Sequence, residues 1–238
     1  MHQENQKVAI ITGGSRGIGA SLVDAYRRQG WSVVATARAM KPTGDPDVFT
    51  IDGDITDPAT ADRIISGALG RFGRIDTLIN NAGVFVSKPF TDYTAEDYAQ
   101  VTGVNLSGFF WLTQRVITEM LKQDGGHVVN ISATIAEYAN SSSPSALTAL
   151  TKGGLAAATR SLAVEYASRG IRVNAVSPGI IQTPAYPAES YAGLGDLFPP
   201  LGHVGQVSDV VGAILFLEGS PFVTGEILHV DGGQNAGH

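Results

Sequence analysis

The sequence predicts an α/β fold in which one doubly wound, parallel sheet of seven strands forms a single domain, residues 1–238. Apolar runs of strand length alternate with longer stretches that suit helices along nearly the whole chain. These runs are rich in Val and Ile, which is typical of parallel strands that helices cover on both faces. The first run leads through a glycine-rich turn into a helix, a unit that typically opens such a sheet.

Each element follows from this alternation, with right-handed crossovers between parallel strands. The predicted strands are Val8–Thr12, Ser32–Ala37, Val48–Asp52, Thr77–Asn80, His127–Ser132, Arg172–Ser177 and Ile227–Asp231. The predicted helices are Gly17–Gln29, Pro58–Phe72, Ala95–Lys122, Pro144–Ser168 and Ser208–Leu217. Thr94, followed by the acids Glu96 and Asp97, has the pattern of a helix N-cap.

One long irregular stretch, residues 179–204, is rich in Pro, Gly and Tyr and follows a predicted strand. A loop of this length in a compact domain is usually a lid or a binding loop. We therefore expect it to be the substrate loop. Its aromatic residues Tyr186, Tyr191 and Phe198 either form an apolar substrate wall or pack the loop itself.

Composition excludes several classes of protein. The net charge of −6 argues against a partner nucleic acid, which usually meets a basic face. There is no cysteine, and the five histidines (His2, His127, His203, His229 and His238) lack the spacing of metal ligands, so we expect no metal site. No apolar run approaches the roughly 18 residues of a membrane span, so we expect a cytoplasmic protein without a membrane partner.

The glycine-rich turn between the first strand and the first helix predicts a phosphate site. Glycines let the backbone approach a ligand closely, and the helix N-terminus offers unpaired N–H groups with the positive end of the helix dipole. The strand before the turn and the helix after it are the context that this motif requires. The candidate cofactor-binding residues here are Gly13, Ser15, Arg16, Gly17, Ile18 and Gly19.

Two arginines predict which dinucleotide binds there. NAD sites of this design place an acidic residue near the end of the second strand, whereas this chain has Arg38. Arg38 and Arg16 can clamp a 2′-phosphate with charge-assisted hydrogen bonds, which favours NADP(H) as the cofactor. The alternative is that both are solvated surface arginines.

Further motifs follow strand ends in order: Asp54-Ile55, Asn80-Asn81-Ala82-Gly83 and Pro178-Gly179. With Thr12–Gly19, Asn105, Lys152, Ile171–Asn174 and Val230–Gly233, this set resembles the short-chain dehydrogenase/reductase family, a family with the Rossmann fold. The resemblance covers nearly the whole chain. It implies that Asp54 and Ile55 flank the adenine and that Asn81, Ala82 and Gly83 line the cofactor. It also implies that Pro178, Gly179, Ile181 and Thr183 cover the nicotinamide side.

The resemblance breaks at the reaction site. Family members use an Asn, a Ser, a Tyr and a Lys four positions after the Tyr, with the Tyr as proton donor to a carbonyl oxygen. Asn105 and Lys152 match this pattern. The Tyr position holds Thr148 and the Ser position holds Ala133. A threonine hydroxyl is a far weaker acid than a phenol, so Thr148 cannot simply replace the tyrosine.

Several candidates for the altered site stay open. Tyr138 either folds into the cleft as the acid or packs on the domain surface. Ser132 either binds a substrate oxygen or only ends its strand, and Thr148 can hydrogen-bond a substrate oxygen or a water. Lys152 either only holds the nicotinamide ribose or also orders a water that delivers the proton. Asn105 holds a water near Lys152 or braces its helix.

The sequence thus favours an NADP(H)-dependent oxidoreductase with a non-standard active site. The acceptor is a small organic molecule with a C=O, C=N or conjugated C=C bond. The alternative is a non-catalytic NADP-binding sensor or regulatory protein, because fold alone does not prove catalysis. The resemblance also implies a homo-oligomer, a dimer or tetramer formed through the two long helices.

Overall fold

A single parallel sheet organises the chain, whose computed structural model describes residues 6–123, 125–184, 191 and 198–237. The sheet consists of β1 (Val8–Thr12), β2 (Ser32–Ala37), β3 (Val48–Asp52), β4 (Thr77–Asn80), β5 (Gly126–Ile131), β6 (Ile171–Pro178) and β9 (Ile227–Val230), in the order β3-β2-β1-β4-β5-β6-β9. All six pairings are parallel. The predicted seven-stranded, doubly wound fold is therefore confirmed.

Helices cover both faces of this sheet, and each face has its own apolar core. On one face, α1 (Gly17–Arg28) and α6 (Val207–Glu218) bury side chains such as Leu22 and Ile214. On the other face, α2 (Pro58–Phe72), α4 (Phe109–Met120) and α5 (Ala146–Tyr166) bury Ile64, Leu112 and Ala163. The strands between them are almost fully buried, which explains their lack of polar alternation.

The predicted helix Ala95–Lys122 is wrong in one respect, because it is interrupted. It consists of α3 (Ala95–Thr102), a π-helical turn at Gly103–Gly108, and α4, which ends at Met120. The turn lies close against the segment after β3, since a Cβ on Gly108 would come within 2.8 Å of an Ile55 methyl carbon. A π-helical turn adds one residue to a helical turn and often occurs at functional sites.

The stretch 179–204 contains structure that the sequence did not predict. Ile181–Gln182 (β7) pairs in parallel with Gly205–Gln206 (β8), which lies just beyond the predicted loop and forms a separate two-stranded sheet with it. Residues 185–190 and 192–197, including Tyr186, lie outside the described residues, as do His2 and His238.

Within the described part of the chain, no helix is both long and apolar enough to cross a membrane. The same residues contain no group of three or more His, Cys, Asp or Glu that could hold a metal ion.

A buried polar cluster, here the Glu218 cluster, fixes the amino-terminal edge of the sheet, away from the motifs described above. One carboxylate oxygen of Glu218 accepts hydrogen bonds from Tyr26 (3.0 Å), Thr77 (3.0 Å) and His127 Nδ1 (3.1 Å). His127 Nε2 faces Asn174 Nδ2 at 3.0 Å, so the proton of a neutral His127 ring lies on Nδ1. Burial lowers the pKa of His127, which keeps the ring neutral.

Candidate active site

The carboxyl ends of the strands open onto a cleft of about 770 Å³, lined by the glycine-rich turn and by the segments after β2, β3 and β4. Ligands collect at this edge in doubly wound sheets. The structure brings together here these predicted cofactor-binding residues: Gly13, Ser15, Arg16, Gly17, Ile18, Gly19, Arg38, Asp54, Ile55, Asn81, Ala82, Gly83 and Thr183.

The glycine-rich turn is tied to the end of β4. Thr12 Oγ1 accepts from the backbone N–H groups of Asn81 (3.0 Å) and Ala82 (2.9 Å), and the Asn81 amide donates to Thr12 O (2.8 Å). A Cβ on Gly19 would lie 2.1 Å from Gly13 O, so only glycine allows the start of α1 to pack this closely against the turn. Gly13 also has a φ of +68°, which disfavours other residues.

The phosphate end of this cleft has the chemistry that a dinucleotide needs. Helix α1 begins after Arg16 without a side-chain cap and without an acidic residue in its first turn, which leaves its first N–H groups for a ligand. Arg16 and Arg38 both line the cleft and are exposed, and neither has a carboxylate partner among the described residues. Uncapped amides, close-packed glycines and two available guanidinium groups fit an anionic dinucleotide.

A second cavity, of about 500 Å³, continues from the first and is here called the acceptor pocket. The two cavities share Ile18, Asn81, Gly83, Val84 and Thr183, so they form one groove. The acceptor pocket also brings together the remaining predicted residues except Asn105: Ser132, Ala133, Tyr138, Thr148, Lys152, Pro178, Gly179 and Ile181.

Lys152 lies at the junction of the two cavities. Its side chain is buried, and Nζ donates to the carbonyl oxygen of Ile131 at 2.6 Å. A Cβ on Gly83 would be only 3.2 Å from this Nζ, so the glycine leaves the space that the Lys152 ammonium occupies. Burial lowers the pKa of Lys152 to about 8.

Asn105 lies in the π-helical turn, and its side chain braces the segment after β4. Its Oδ1 accepts from Val84 N (2.9 Å), and its Nδ2 donates to Val84 O and to Thr151 Oγ1 (3.0 Å each). Both amide protons are therefore used within the protein. The side chain therefore holds Val84 and Thr151, while the two predicted roles, bracing its own helix and holding a water near Lys152, stay predictions.

The hydroxyls of Thr148, at the predicted tyrosine position, and of Ser132, next to Ala133, both form hydrogen bonds with the backbone. Thr148 Oγ1 donates to Val86 O and accepts from Val86 N, both at 3.2 Å. Ser132 Oγ donates to the backbone oxygen of Lys152 at 3.2 Å. Each hydroxyl has one proton, and in both cases a protein carbonyl takes it.

Tyr138 lines the acceptor pocket and is half-buried, following the 3₁₀ turn Thr134–Ala136. Among the predicted loop aromatics, Tyr191 also lines this pocket, with its hydroxyl 3.3 Å from Ile181 O. Phe198 is described but does not line it.

Sequence reasoning missed several wall residues, among them Phe85 and Gln234. Phe85, which is 50% exposed, lies on the wall of the acceptor pocket after the Asn-Asn-Ala-Gly motif. Gln234 lies near the carboxyl-terminal end of the chain, and its Oε1 accepts from Ile180 N at 3.3 Å. A Cβ on Gly179 would collide with this same oxygen. The glycine after Pro178 was the only local signal of that approach.

Comparison with known proteins gives consistent results. Residues 13–235 match the family model described as enoyl-(acyl carrier protein) reductase. The chain is 34% identical to a 3-oxoacyl-(acyl-carrier-protein) reductase of Thermotoga maritima over 246 residues, covering 95% of this chain and 97% of the relative. It is 36% identical to the L-fucose dehydrogenase of Mus musculus over 249 residues, covering 98% of this chain and 89% of the relative. The solved structure of ElxO with NADP bound has a TM-score of 0.88 at 28% identity, covering 98% of this chain and all of the other.

Proposed function

The chain belongs to the short-chain dehydrogenase/reductase family of oxidoreductases, and from this membership we propose that it is an NADP(H)-dependent reductase of a small organic acceptor. The acceptor has a C=O, C=N or conjugated C=C bond. The reduced nicotinamide, when bound, supplies a hydride, and the acceptor takes up that hydride and one proton.

The observation that carries the proposal is the continuity of the groove. Its phosphate end has Arg16 and Arg38, and its other end is a separate pocket with room for an acceptor. Lys152 stands where the two meet. This arrangement suits a ligand with a charged end and a reactive end, because each end meets matching chemistry.

The side chains divide into binding and bracing roles. Arg16 and Arg38 bind the 2′-phosphate, and the amides at the start of α1 bind the bridging phosphates. Lys152 has two protons besides the one donated to Ile131 O, and it holds the nicotinamide ribose with them. Asn105 keeps Val84 in place beside it.

We infer that a group other than Thr148 or Ser132 delivers the proton, because each of these hydroxyls donates its hydrogen bond to a backbone oxygen. Two sources stay in reach of the pocket: a water ordered by Lys152, and the phenol of Tyr138. Replacing Tyr138 with phenylalanine separates them. Unchanged turnover would exclude the phenol as the donor.

The hydrogen bonds that Ser132 and Thr148 donate to the backbone also favour a second candidate function, a non-catalytic NADP-binding sensor. A site whose neighbouring hydroxyls are both used by the backbone has lost ready acids for carbonyl reduction. The sensor predicts tight NADPH binding without NADPH oxidation for any acceptor. Measuring both binding and oxidation in one preparation therefore decides between the two functions.

The experiment uses Lys152→Ala with Thr148→Ala as its matched control on the same helix. We expect Lys152→Ala to weaken NADPH binding or turnover more than Thr148→Ala, because Lys152 is the one charged side chain among the described residues that line the acceptor pocket. Isothermal titration gives the NADPH Kd, and absorbance at the nicotinamide band gives turnover. Unchanged kinetics in an active Lys152→Ala protein would mean that the assigned groove is wrong.

We further propose a symmetric homo-oligomer that uses α4 and α5. Both helices carry large apolar side chains in contact with solvent, namely Phe110 (52% exposed) and Val164 (82% exposed). Val164→Glu places a charge on this face, and we expect it to reduce the molar mass measured by light scattering. An unchanged mass would exclude this interface.

A further inference from the structure

Lys152 has a chemistry that the proposed hydride transfer does not use. We propose that, in the cofactor-free protein, its side-chain amine forms a reversible imine with a small, uncharged aldehyde bound in the acceptor pocket. The imine and NADP(H) exclude each other, and this second part rests on the proposed role of Lys152 at the nicotinamide ribose. The first part requires no turnover and is independent of the reductase function.

The amine of Lys152 lies between two groups of the pocket wall. Its Nζ donates to Ile131 O at 2.6 Å, and a Cβ on Gly83 would come within 3.2 Å of it. Ile131 and Gly83 both line the acceptor pocket, as Lys152 does. When the ammonium loses one of its other two protons, the nitrogen keeps the hydrogen bond to Ile131 and has a lone pair for a carbonyl carbon. The wall therefore holds a nucleophile in place.

The surroundings of Lys152 favour the neutral amine that this reaction needs. Burial lowers the pKa of Lys152 to about 8, and no carboxylate pairs with it among the described residues. At about pH 7.5, roughly a quarter of such an amine is neutral, compared with about 0.1% of a lysine with the ordinary pKa of about 10.4. Desolvated lysines in apolar pockets are the ones that form Schiff bases with carbonyl compounds.

The chain has four other lysines, and their surroundings differ: Lys7, Lys41, Lys88 and Lys122. The ammonium groups of Lys88 and Lys122 lie 2.7 and 2.8 Å from carboxylate oxygens, and that of Lys7 lies 5.1 Å from the centre of an indole ring. Each of these contacts stabilises the charged form, which is not a nucleophile. Lys41 is exposed to water. We therefore expect Lys152 to be the first of the five to react.

The acceptor pocket selects the kind of aldehyde. Its volume of about 500 Å³ is ample for a small molecule, and Phe85, Tyr138 and Tyr191 line it together with aliphatic side chains. Lys152 is the one charged side chain among its described lining residues. Such a wall favours an uncharged molecule, and its rings suit one with an aromatic group. An aldehyde is favoured over a ketone because its carbonyl carbon has only one substituent to be accommodated beside the lysine.

The reaction balances without an oxidant or a reductant. The amine nitrogen adds to the carbonyl carbon, and the C=O electron pair moves to the oxygen, which takes a proton from the nitrogen. A water or the phenol of Tyr138, which lines the same pocket, carries that proton. Loss of one water then forms the C=N bond. One amine and one aldehyde thus give one imine and one water.

The imine removes the hydrogen bonds that the cofactor needs. The Lys152 ammonium has three protons, of which Ile131 O accepts one, and the nicotinamide ribose takes the other two in the proposed complex. A protonated imine has one N–H and a neutral imine has none. Neither form can donate to the ribose while the bond to Ile131 is kept. An aldehyde that reacts here is therefore a reversible inhibitor that competes with NADP(H).

The first test traps the imine by reduction. Benzaldehyde and sodium cyanoborohydride are added to the full chain freed of nucleotide, and peptide mass spectrometry gives the rate of benzylation at each lysine. We expect Lys152 to react at least tenfold faster than any of the other four, because its larger neutral fraction outweighs the lower nucleophilicity of a weaker base. Equal rates at Lys152 and the other lysines, or no label at Lys152, would overturn the proposal.

Two variants check which amine reacts, and thermal unfolding shows that each is folded. Lys152→Met should lose the fast labelling, whereas Lys41→Met, which removes one exposed lysine, should keep it. Fast labelling that persists in Lys152→Met would contradict the assignment, and the peptide rates of the wild-type protein decide the matter if this variant does not fold. Without the reductant, dialysis should restore the unmodified mass, and an adduct that survives dialysis would exclude a reversible imine.

The last test repeats the labelling of the wild-type protein with saturating NADP⁺, whose binding isothermal titration measures. We expect the rate at Lys152 to fall at least tenfold and the rates at the other lysines to stay unchanged. An unchanged rate at Lys152 in protein that binds NADP⁺ would refute the mutual exclusion, and with it the role of Lys152 at the ribose. NADPH oxidation with an acceptor tests the reductase function separately, so the failure of one is distinguishable from the failure of the other.

Discussion

Replacing Arg38 with alanine should convert a preference for NADPH into near indifference between NADPH and NADH. Arg38 is exposed on the cleft wall, and within the described residues no carboxylate pairs with it. Its removal therefore breaks no described ion pair, and the loss falls on the ligand. A hydrogen bond to a charged group contributes about 1.5–3 kcal/mol, and exposure to solvent places this one at the lower end. About 1.5 kcal/mol corresponds to a roughly tenfold increase in the NADPH Kd.

The assay is titration of NADPH and of NADH into wild-type protein, Arg38→Ala and a control at two salt concentrations. Arg28→Ala is the matched control, because Arg28 is exposed at the far end of α1 and changes the net charge equally. We expect NADPH binding to weaken with salt more than NADH binding, since the additional phosphate is what the arginines bind. Equal affinity for both cofactors in the wild-type protein would refute the clamp by Arg38 and Arg16.

Three further outcomes follow from the fold and the groove. Gly19→Ala should weaken NADPH binding more than tenfold in a titration, because its Cβ would meet Gly13 O, whereas Gly70→Ala meets nothing within 4 Å and should bind normally. With NADPH saturating, kcat/KM for the acceptor should fall above about pH 8 as the Lys152 ammonium deprotonates, and Lys152→Met should lose this limb. Glu218→Ala should lower the free energy of unfolding in urea by about 3 kcal/mol, since the Glu218 cluster loses its acceptor, while Glu96→Ala on the surface should change it little.

The Glu218 cluster also sets the direction of a pH effect on stability. Burial raises the pKa of Glu218, but the hydrogen bond from His127, the charge of His127 when protonated, and the hydrogen bonds from Tyr26 and Thr77 together lower it overall. Burial lowers the pKa of His127 as well. Both groups bind protons more readily in the unfolded chain, so the unfolding free energy should fall as the pH drops below about 6.5 and further near 4. Stability that rises on acidification through this range would contradict the assigned protonation states.

The sheet and the cofactor end of the groove could be predicted because their signals are local. A buried parallel strand is a continuous apolar run, and the close approach of Gly13 and Gly19 requires glycine in the sequence itself. The π-helical turn at Gly103–Gly108 could not be found this way, because one additional residue in a turn hardly changes helical periodicity.

The acceptor end depends on contacts between distant parts of the chain. Whether Thr148 faces a substrate or a carbonyl depends on the path of Val86, which lies 62 residues earlier. That path is fixed in turn by Asn105 and Tyr93. Gln234 reaches Ile180 across 54 residues. No spacing rule in one sequence reports such contacts, so the roles of these residues needed the fold.

Thr148 links the missing acid to the shape of the pocket. A threonine oxygen is attached to Cβ and stays close to α5, so it can both donate to and accept from the backbone of Val86. A tyrosine oxygen would lie beyond the ring, several ångströms farther out, and could not make this pair of bonds from the same position. If Thr148 stands in place of the family tyrosine, as the resemblance implies, that single change would remove a phenol and also fasten the wall that carries Phe85. Because the phenol of Tyr138 still lines this pocket, the Tyr138→Phe variant decides whether the site keeps an acid near Lys152.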